Sequence, residues 1–265
     1  MSQFPILHRA DHEGVASLTL SAPGNRNALS LLMIDTMIVA LTEIDKDHAI
    51  HAVVIAGEGP ALSAGHDLKE IQGHRNDEDR GAAYFEKLMT RCAELMRGIT
   101  ELTKPVIAAV EGVATAAGCQ LVAACDLAIA GEAARFALPG VSIGLFCSTP
   151  LVAVGRAVSR KAAMELALTG DMIDARRAEA IGLVNRVVPQ GSALAEAQAL
   201  AGKIAARSGP VVALGKRAIQ RQIETSLADA YRIASEAMIE NLALPDSSEG
   251  IAAFVEKRAA VWSDR

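Results

Sequence analysis

The chain has 265 residues, of which 51% are hydrophobic and 3% aromatic, and its formal net charge is −5 at pH 7. Such a length allows one large domain or two small ones with a substantial core, and the acidic balance argues against a nucleic-acid-binding protein. The four cysteines form no CxxC pair, and no apolar run is long enough to span a membrane. We therefore expect reduced thiols and no membrane insertion. Because no apolar targeting segment opens the sequence, we also expect a cytoplasmic location.

The first half of the chain alternates short apolar strands with helices. Apolar runs predict strands at 15–20, 52–56, 106–110 and 127–130. Helical patterns intervene, notably at 29–44 and 80–102. Strands separated by helices imply crossover connections, so the sequence predicts an α/β fold with a mostly parallel sheet.

The later part of the chain has a largely helical pattern. Asp174 is a predicted N-cap for a helix at 175–181 that Gly182 ends. Further helices are predicted at 193–207, 211–225, 226–244 and from 245 through 262. We expect an α/β core over residues 1–195 and a helical region over residues 196–265. Because that helical region has no evident core of its own, it must dock on the α/β core or on another subunit.

One catalytic motif occurs by its letters, since residues 140–144 match the G-x-S-x-G pattern around Ser142. The context does not fit, because all six histidines precede Ser142 and Pro139 interrupts the expected strand–turn–helix. We interpret the match as chance. The zinc-protease, Walker and dinucleotide-binding motifs are absent from the sequence, so neither a metal nor a nucleotide cofactor is expected.

Two turns of small residues follow predicted strands, at 62–69 and at 113–118. Small side chains let the backbone approach a ligand, and a helix is predicted directly after each turn. Helix N-termini carry unsatisfied N–H groups at the positive end of the dipole, so two facing turns can bind an oxyanion. The alternative is that the small residues only allow close packing of strand and helix. The residues alone leave both interpretations open.

Several segments in order resemble motifs of the crotonase family, the enoyl-CoA hydratase/isomerase superfamily. They cover nearly the whole chain and are the segments 26–29, 63–69, 104–112, 168–170, 180–184 and 253–258. The resemblance implies a crotonase-like spiral of ββα units with a C-terminal helical region that mediates trimerisation. It also implies a homo-trimer or hexamer, with coenzyme A present only as part of an acyl-CoA thioester substrate.

The resemblance also implies roles for individual residues. The backbone N–H groups of His66 and Ala117 would form the oxyanion hole for the thioester carbonyl. The positions that match coenzyme A contacts are Arg26, Ala28, Ala64, Leu68, Phe254 and Lys257, the last two often reaching across a subunit interface. The His66 side chain is either a titratable group in the acyl pocket or, as we favour, an ordinary residue whose backbone does the work. Without the resemblance, the sequence would favour Lys257 as a solvated charge on a helix.

The chain departs from the hydratase pattern at both catalytic carboxylates. The family's two glutamates match Gln120 and Gly140 here. Because each positioned acid or base contributes about 10²–10⁴-fold, ordinary hydration should be very slow. Glutamine can still orient a water molecule, and Gly140 is expected to leave a space that an anion such as bicarbonate could fill.

The loop after Gly140 also departs from the hydratase pattern, in the string Gly-Leu-Phe-Cys-Ser-Thr-Pro at 144–150. Cys147 and Ser148 would lie near the acyl pocket, where either could act as a nucleophile or proton donor. We prefer a packed loop, because no paired base is identifiable. Two functions remain open: an acyl-CoA enzyme with weak or altered hydratase or isomerase activity in lipid metabolism, and a non-catalytic acyl-CoA-binding or regulatory protein.

Overall fold

The computed structural model describes residues 6–263 of the chain. Within this range the larger sheet has six strands in the order β1-β2-β3-β5-β7-β10. Their bounds are β1 (Leu7–His12), β2 (Val15–Leu20), β3 (Ala52–Gly57), β5 (Val106–Val110), β7 (Leu127–Gly131) and β10 (Arg186–Val188). β1 is antiparallel to β2, and every other pairing is parallel.

The smaller sheet has four short strands in the order β4-β6-β8-β9 within the same residues. They are β4 (Ala61–Ser63), β6 (Val113–Thr115), β8 (Arg135–Ala137) and β9 (Ile173–Asp174). β4, β6 and β8 run parallel, and β9 is antiparallel to β8. Three times, at β3–β4, β5–β6 and β7–β8, the chain crosses the large sheet and then the small one before it enters a helical segment. This alternation is the spiral of ββα units that the sequence resemblance predicted.

Eleven α-helices complete the part of the chain that the structure describes. They are α1 (Leu31–Lys46), α2 (Leu68–His74), α3 (Ala82–Glu101), α4 (Ala117–Ala124), α5 (Ser148–Ala157), α6 (Arg160–Thr169), α7 (Ala175–Ala180), α8 (Ala193–Ala205), α9 (Gly209–Gln222), α10 (Leu227–Leu242) and α11 (Pro245–Glu256). None of them is both long and apolar enough to cross a membrane. The Asp174 side chain accepts from Arg177 N, which confirms the predicted cap of α7.

The main core lies between one face of the large sheet and the helices α1, α3 and α4. The opposite face is covered by α8, whose buried residues are alanines spaced four apart: Ala193, Ala197, Ala201 and Ala205. This spacing puts small side chains on one stripe, so the helix backbone can approach the strands closely. The predicted boundary at residue 195 falls inside α8.

The next helix is attached to the core by a largely buried ion pair. Lys216 on α9 places its Nζ 2.6 Å from Asp126 Oδ2, and its side chain is only 7% exposed. The ammonium also donates to the backbone oxygens of Ile99 and Lys104. Because all three donors of the ammonium find acceptors, the charge is compensated where it is buried.

The helix predicted to run through residue 262 ends earlier. α11 stops at Glu256 because Lys257 adopts a left-handed conformation with φ of 56°. The N–H of Arg258 then turns back to donate to Ala253 O, and its guanidinium pairs with Glu249. The prediction of a helix through residue 262 was therefore wrong. The helix ends without the glycine that normally signals such an ending, so nothing in the sequence indicated it.

Candidate active site

Two turns meet where β4 and β6 leave the smaller sheet. β4 leads towards α2, and β6 leads directly into α4. The Thr115 hydroxyl donates to Ala64 O at 3.2 Å. At Gly65, whose φ is +92°, an added Cβ would lie 3.2 Å from Ala117 N and 3.1 Å from Thr115 O. The two small-residue turns that the sequence singled out are thus in direct contact.

The absence of side chains at two glycines permits this contact. Gly118 sits in the first turn of α4, and a Cβ there would lie 2.1 Å from Ser63 O. Such a distance is far inside van der Waals contact, so any larger residue would push the two turns apart. Gly65 adds the left-handed backbone that other residues rarely adopt.

Backbone N–H donors remain free at this junction. Ala117 is the first residue of α4, and Ala116 before it supplies no side-chain cap. Within residues 6–263 neither Ala117 N nor His66 N donates to a protein acceptor. The first N–H groups of a helix have no partner inside it and lie at the positive end of its dipole. The arrangement can therefore receive an oxygen atom that carries negative charge.

The residue between β6 and α4 is strained. Ala116 has φ of 51° and ψ of −120°, a combination that normally requires glycine. Backbone strain of this kind costs of order 1–3 kcal/mol and persists only where the surroundings enforce it. Its N–H donates to Ala137 O, which ties the turn to β8. The strain occurs next to the free N–H of Ala117.

The start of α2 is fixed by two carboxylates that the sequence reasoning did not identify. The Asp67 side chain caps α2 by accepting from Lys69 N and Glu70 N. Glu70 in turn accepts from Leu31 N and from the Tyr84 hydroxyl at 2.8 Å. These bonds hold α2 against α1 and α3, and so position the turn that carries His66. The Asp-x-x-Glu spacing of a capping pair was the available signal.

The His66 ring is inside the protein and incompletely bonded. Its Nδ1 lies 3.1 Å from Leu29 O, whereas Nε2 is enclosed and has no hydrogen-bond partner among residues 6–263. Burial lowers the pKa of His66 below its usual value, only partly opposed by the carbonyl of Leu29 and the charge of Glu70. The ring is therefore neutral, with the proton on Nδ1 donated to Leu29 and a free lone pair on Nε2.

Gln120 lies one turn along α4 from Ala117 and is only 4% exposed. The Cys92 thiol of α3 contacts its Oε1 at 4.0 Å. Burial raises the pKa of Cys92 to about 12, so the thiol is protonated and can donate. The sequence located Gln120 but did not identify Cys92, which is brought to it by the packing of α3 on α4.

At Gly140 the structure overturns one expectation. Gly140 is buried in a 3-10 turn at Pro139–Ile143, and a Cβ there would lie 2.9 Å from Cys147 Sγ and 3.0 Å from Leu145 O. The thiol of Cys147 thus occupies the space next to Gly140 that we expected to be open for an anion. That expectation was wrong because the loop at 144–147 folds back onto the 3-10 turn.

Neither candidate nucleophile of this loop is activated. Burial raises the pKa of Cys147, although the neighbouring backbone of Gly140 acts to lower it. Because the net shift is upward, the thiol stays protonated. Ser148 begins α5 and is exposed. Neither side chain has a hydrogen-bonded base within the described residues. The preferred interpretation of a packed loop is consistent with this arrangement.

Four of the predicted coenzyme A positions cluster on one side of the turns. Ala64 N donates to Arg26 O at 3.0 Å, and Leu29 N donates to Gly65 O at 2.7 Å, next to Ala28. Arg26 is exposed, and Leu68 is 51% exposed at the start of α2.

The buried Asn27 shapes this loop, and the sequence reasoning gave it no role. Its amide donates to the backbone oxygens of Glu58 and Ala61 and accepts from Ala22 N.

The other two predicted coenzyme A positions are not brought to this cluster. Phe254 is 85% exposed on α11, and Lys257 follows the end of that helix. α11 contacts chiefly α10. No group of three or more His, Cys, Asp or Glu side chains that could hold a metal ion occurs in the part of the chain the structure describes.

Comparison with known proteins defines the class. The sequence model of the enoyl-CoA hydratase/isomerase family matches residues 10–265, and the chain belongs to this family. Among individual proteins it is similar to enoyl-CoA hydratase domain-containing protein 3, mitochondrial. The identity is 45% over 251 residues for the Rattus norvegicus protein, covering 95% of this chain and 82% of that one. The Homo sapiens protein gives the same identity with 81% of its length covered.

Solved structures agree with this assignment. The human enoyl coenzyme A hydratase domain-containing protein 3 superposes with a TM-score of 0.92 at 43% identity, covering 97% of this chain and 100% of that one. An enoyl-CoA hydratase of Mycobacterium smegmatis gives a TM-score of 0.93 at 46% identity, covering 98% and 99%. The predicted family and the crotonase-like α/β fold are confirmed.

One prediction from the sequence is contradicted by these relatives. A cytoplasmic location was expected because the chain opens without an apolar segment. The similar proteins from rat, mouse, Xenopus laevis and human are all named mitochondrial. The cytoplasmic prediction was therefore wrong.

Proposed function

We propose that this protein binds acyl-CoA thioesters and holds the thioester carbonyl in an oxyanion hole formed by the N–H groups of His66 and Ala117. The observation that carries the proposal is the pair of unpartnered N–H groups on two turns in direct contact. An enolate-like oxygen would gain most from them, because one such donor is worth about 2.7–4 kcal/mol in a transition state. Family membership supports acyl-CoA as the ligand class.

The coenzyme A moiety would lie along the cluster of Arg26, Ala28, Ala64 and Leu68. Arg26 is exposed and has no ion-pair partner within the described residues, so its guanidinium is available for a phosphate. No cofactor beyond the coenzyme A of the substrate is proposed.

Carbonyl recognition can be tested without altering the protein. Butyryl-CoA and its thioether analogue S-butyl-CoA differ only in the carbonyl oxygen. Two neutral hydrogen bonds predict that the thioester binds about 5- to 100-fold tighter in isothermal titration calorimetry. Free coenzyme A is the control for the nucleotide contacts. Equal affinities for thioester and thioether would refute the oxyanion hole, and no binding of any of the three would refute the ligand class.

Turnover is expected to be weak or altered. Gln120 cannot transfer a proton, and Gly140 offers no side chain. With purified protein and crotonyl-CoA we expect hydration to be slower than in a two-glutamate hydratase. The rate should fall by about 10²-fold or more for each missing carboxylate. The loss of the enoyl thioester absorbance measures this rate. Hydration as fast as that of a two-glutamate hydratase would show that another group activates water.

Because Cys147 fills the space beside Gly140, restoring the two glutamates requires its removal. The variant Gln120→Glu/Gly140→Glu/Cys147→Ala should hydrate crotonyl-CoA at least about 10²-fold faster than the wild type. The same variant with Cys147 retained is the matched control, and it should gain less. No gain in a folded triple variant that binds butyryl-CoA would refute the idea that only the carboxylates are missing.

The second candidate is a protein that binds acyl-CoA without turnover. The specific observation that favours it is the loss of an ionisable side chain at both positions, Gln120 and Gly140. In this case butyryl-CoA binds while crotonyl-CoA remains unchanged over long incubation. Detectable product above the buffer rate would exclude this alternative.

We propose that the chain assembles as a homo-trimer or hexamer through its C-terminal helices. Large apolar side chains are exposed along α9, α10 and α11, and they are Ile219, Ile223, Leu227, Tyr231, Met238, Ile239, Leu242, Ile251, Phe254 and Val255. Exposed apolar surface of this extent is typical of an interface. In such an assembly Phe254 and Lys257 would reach the coenzyme A of a neighbouring subunit. Light scattering after size exclusion tests this, and a stable monomer would refute it.

A further inference from the structure

Gln120 replaces a proton-transfer group, and its surroundings fix how its amide can act. The side chain is 4% exposed, and its Oε1 accepts from the protonated thiol of Cys92 at 4.0 Å. The amide nitrogen has no acceptor within residues 6–263. With the oxygen contacted by a donor, the unpartnered group of the amide is the NH₂, which can only donate.

The amide nitrogen also borders open space. Among the described residues, the enclosed polar side-chain atoms without a partner are His66 Nε2 and Asp246 Oδ2. Gln120 Nε2 is not one of them, so this unpartnered atom is still reached by solvent although its residue is almost wholly buried. A buried side chain with one polar atom that is open and unpartnered is the arrangement expected at a ligand site.

The position on α4 sets which ligand atom the amide can reach. Gln120 follows Ala117 by three residues, so both lie on the same face of the helix. Helical side chains lean towards the N-terminus, which brings the amide back over the turn that carries the free N–H of Ala117. An oxygen on C3 of an acyl thioester is three bonds beyond the carbonyl carbon. It therefore lies within about one helical turn (5.4 Å) of a carbonyl held by Ala117.

We infer that Gln120 is a specificity residue that donates to an oxygen at C3 of the acyl chain, so that the preferred ligands are 3-oxoacyl thioesters. This inference rests on the proposed function, because it places the thioester carbonyl on Ala117 N. A 3-oxo group only accepts hydrogen bonds, which matches a donor-only NH₂. An acyl chain without that oxygen leaves the amide unpaired when it is desolvated, and the cost of an unpaired buried donor produces the discrimination.

The test is calorimetric binding of acetoacetyl-CoA and butyryl-CoA, which differ at C3. We expect the wild type to prefer acetoacetyl-CoA by about threefold to tenfold. In Gln120→Met, which keeps the length of the side chain but has no donor, this ratio should fall to about one. Gln220→Met is the matched control, because it makes the same change at an exposed position on α9 and should keep the wild-type ratio.

A second variant acts on the orientation of the amide rather than on the ligand. Cys92→Ala removes the donor to Oε1, so the amide is free to turn either way and the preference should weaken without being abolished. Gln120→Glu gives an acceptor-only group, which should disfavour acetoacetyl-CoA and prefer 3-hydroxybutyryl-CoA.

Two outcomes overturn the inference: equal wild-type affinity for acetoacetyl-CoA and butyryl-CoA, which would mean that Gln120 holds only water, and an unchanged preference in Gln120→Met. If none of the coenzyme A thioesters binds, including butyryl-CoA, the proposed function itself has failed. The two failures are therefore distinguishable in one series of titrations.

Discussion

The contact between Gly140 and Cys147 makes a quantitative prediction about stability. An added methyl group at Gly140 would lie 2.9 Å from Cys147 Sγ, 3.0 Å from Leu145 O and 3.3 Å from Cys147 N. Gly140 does not have a positive φ, so alanine is not excluded by backbone conformation. The perturbation caused by Gly140→Ala is therefore overpacking, which costs typically 1–3 kcal/mol.

Two opposing terms set the expected value. Replacing glycine by alanine at a permissive site stabilises a protein by about 0.4–1 kcal/mol through the unfolded chain. Overpacking against Sγ and a backbone oxygen acts in the other direction, and the backbone oxygen of Leu145 cannot move without its loop. We expect Gly140→Ala to lower the free energy of unfolding by about 1–2 kcal/mol. Urea denaturation followed by circular dichroism measures it.

A double-mutant cycle assigns the cost to the thiol. In a Cys147→Ala background the atom at 2.9 Å is gone and the contacts with backbone atoms remain. Gly140→Ala should then cost at least about 0.5 kcal/mol less than in the wild type. Gly155→Ala is the matched control on the following helix, and it should be neutral or stabilising. Apart from its chain neighbours and its own helix backbone, no described atom lies within 4 Å of the added Cβ. A Gly140→Ala protein as stable as the wild type would refute the reasoning.

Three further predictions concern the neighbourhood of the site and the docking of α9. Ala116→Gly should raise the free energy of unfolding by about 1 kcal/mol, since the relief of backbone strain exceeds the entropic cost of glycine, and a lower urea midpoint would contradict this. Burial lowers the pKa of His66, and the charge of Glu70 opposes this shift only in part. The unfolded chain therefore takes up a proton below pH ~6.5 that the folded state does not, and the wild type should lose stability relative to His66→Leu between pH 7 and 5.5. A constant difference between the two proteins over this range would argue against a buried neutral imidazole. Lys216→Met should cost about 3 kcal/mol because it leaves the Asp126 carboxylate unpaired, with partial recovery when Asp126→Asn is added. An undiminished urea midpoint in the single variant would show that the ion pair does not attach α9.

Four of the six strands of the larger sheet were predictable because they are buried on both faces. β3, β5 and β7 read as continuous apolar runs, which is the pattern of strands covered on both sides, and β2 is apolar except for Ser17 and Thr19. β1 was not predicted, because it is an edge strand whose residues are mostly exposed and polar. β10 and the smaller sheet were also missed, since strands of two or three residues carry no periodic signal.

Part of the candidate site was predictable from local sequence, and the rest depends on how distant elements pack. The small-residue turns at 62–69 and 113–118 are visible in the sequence, because close backbone approach demands small residues there. The contact of Cys92 with Gln120 joins two helices 28 residues apart, and it depends on how α3 packs on α4. Cys147 reaches Gly140 only through the fold of the intervening loop. No pattern of spacing in the sequence predicts either contact.

Gln120 and Gly140, the positions that we match to the family's two glutamates, have a common physical property in the structure. Gln120 presents an amide donor, and the place beside Gly140 holds a protonated thiol, so neither position supplies a negative charge or a base. Near the turns lie the free N–H groups of Ala117 and His66 and a neutral imidazole, whereas the carboxylates of Asp67 and Glu70 are engaged in fixing α2. Donors stabilise an oxyanion whether or not a proton is transferred, whereas hydration needs a base to activate water. We therefore expect the site to hold an acyl thioester with extra oxygen near its carbonyl and to add water to one only slowly.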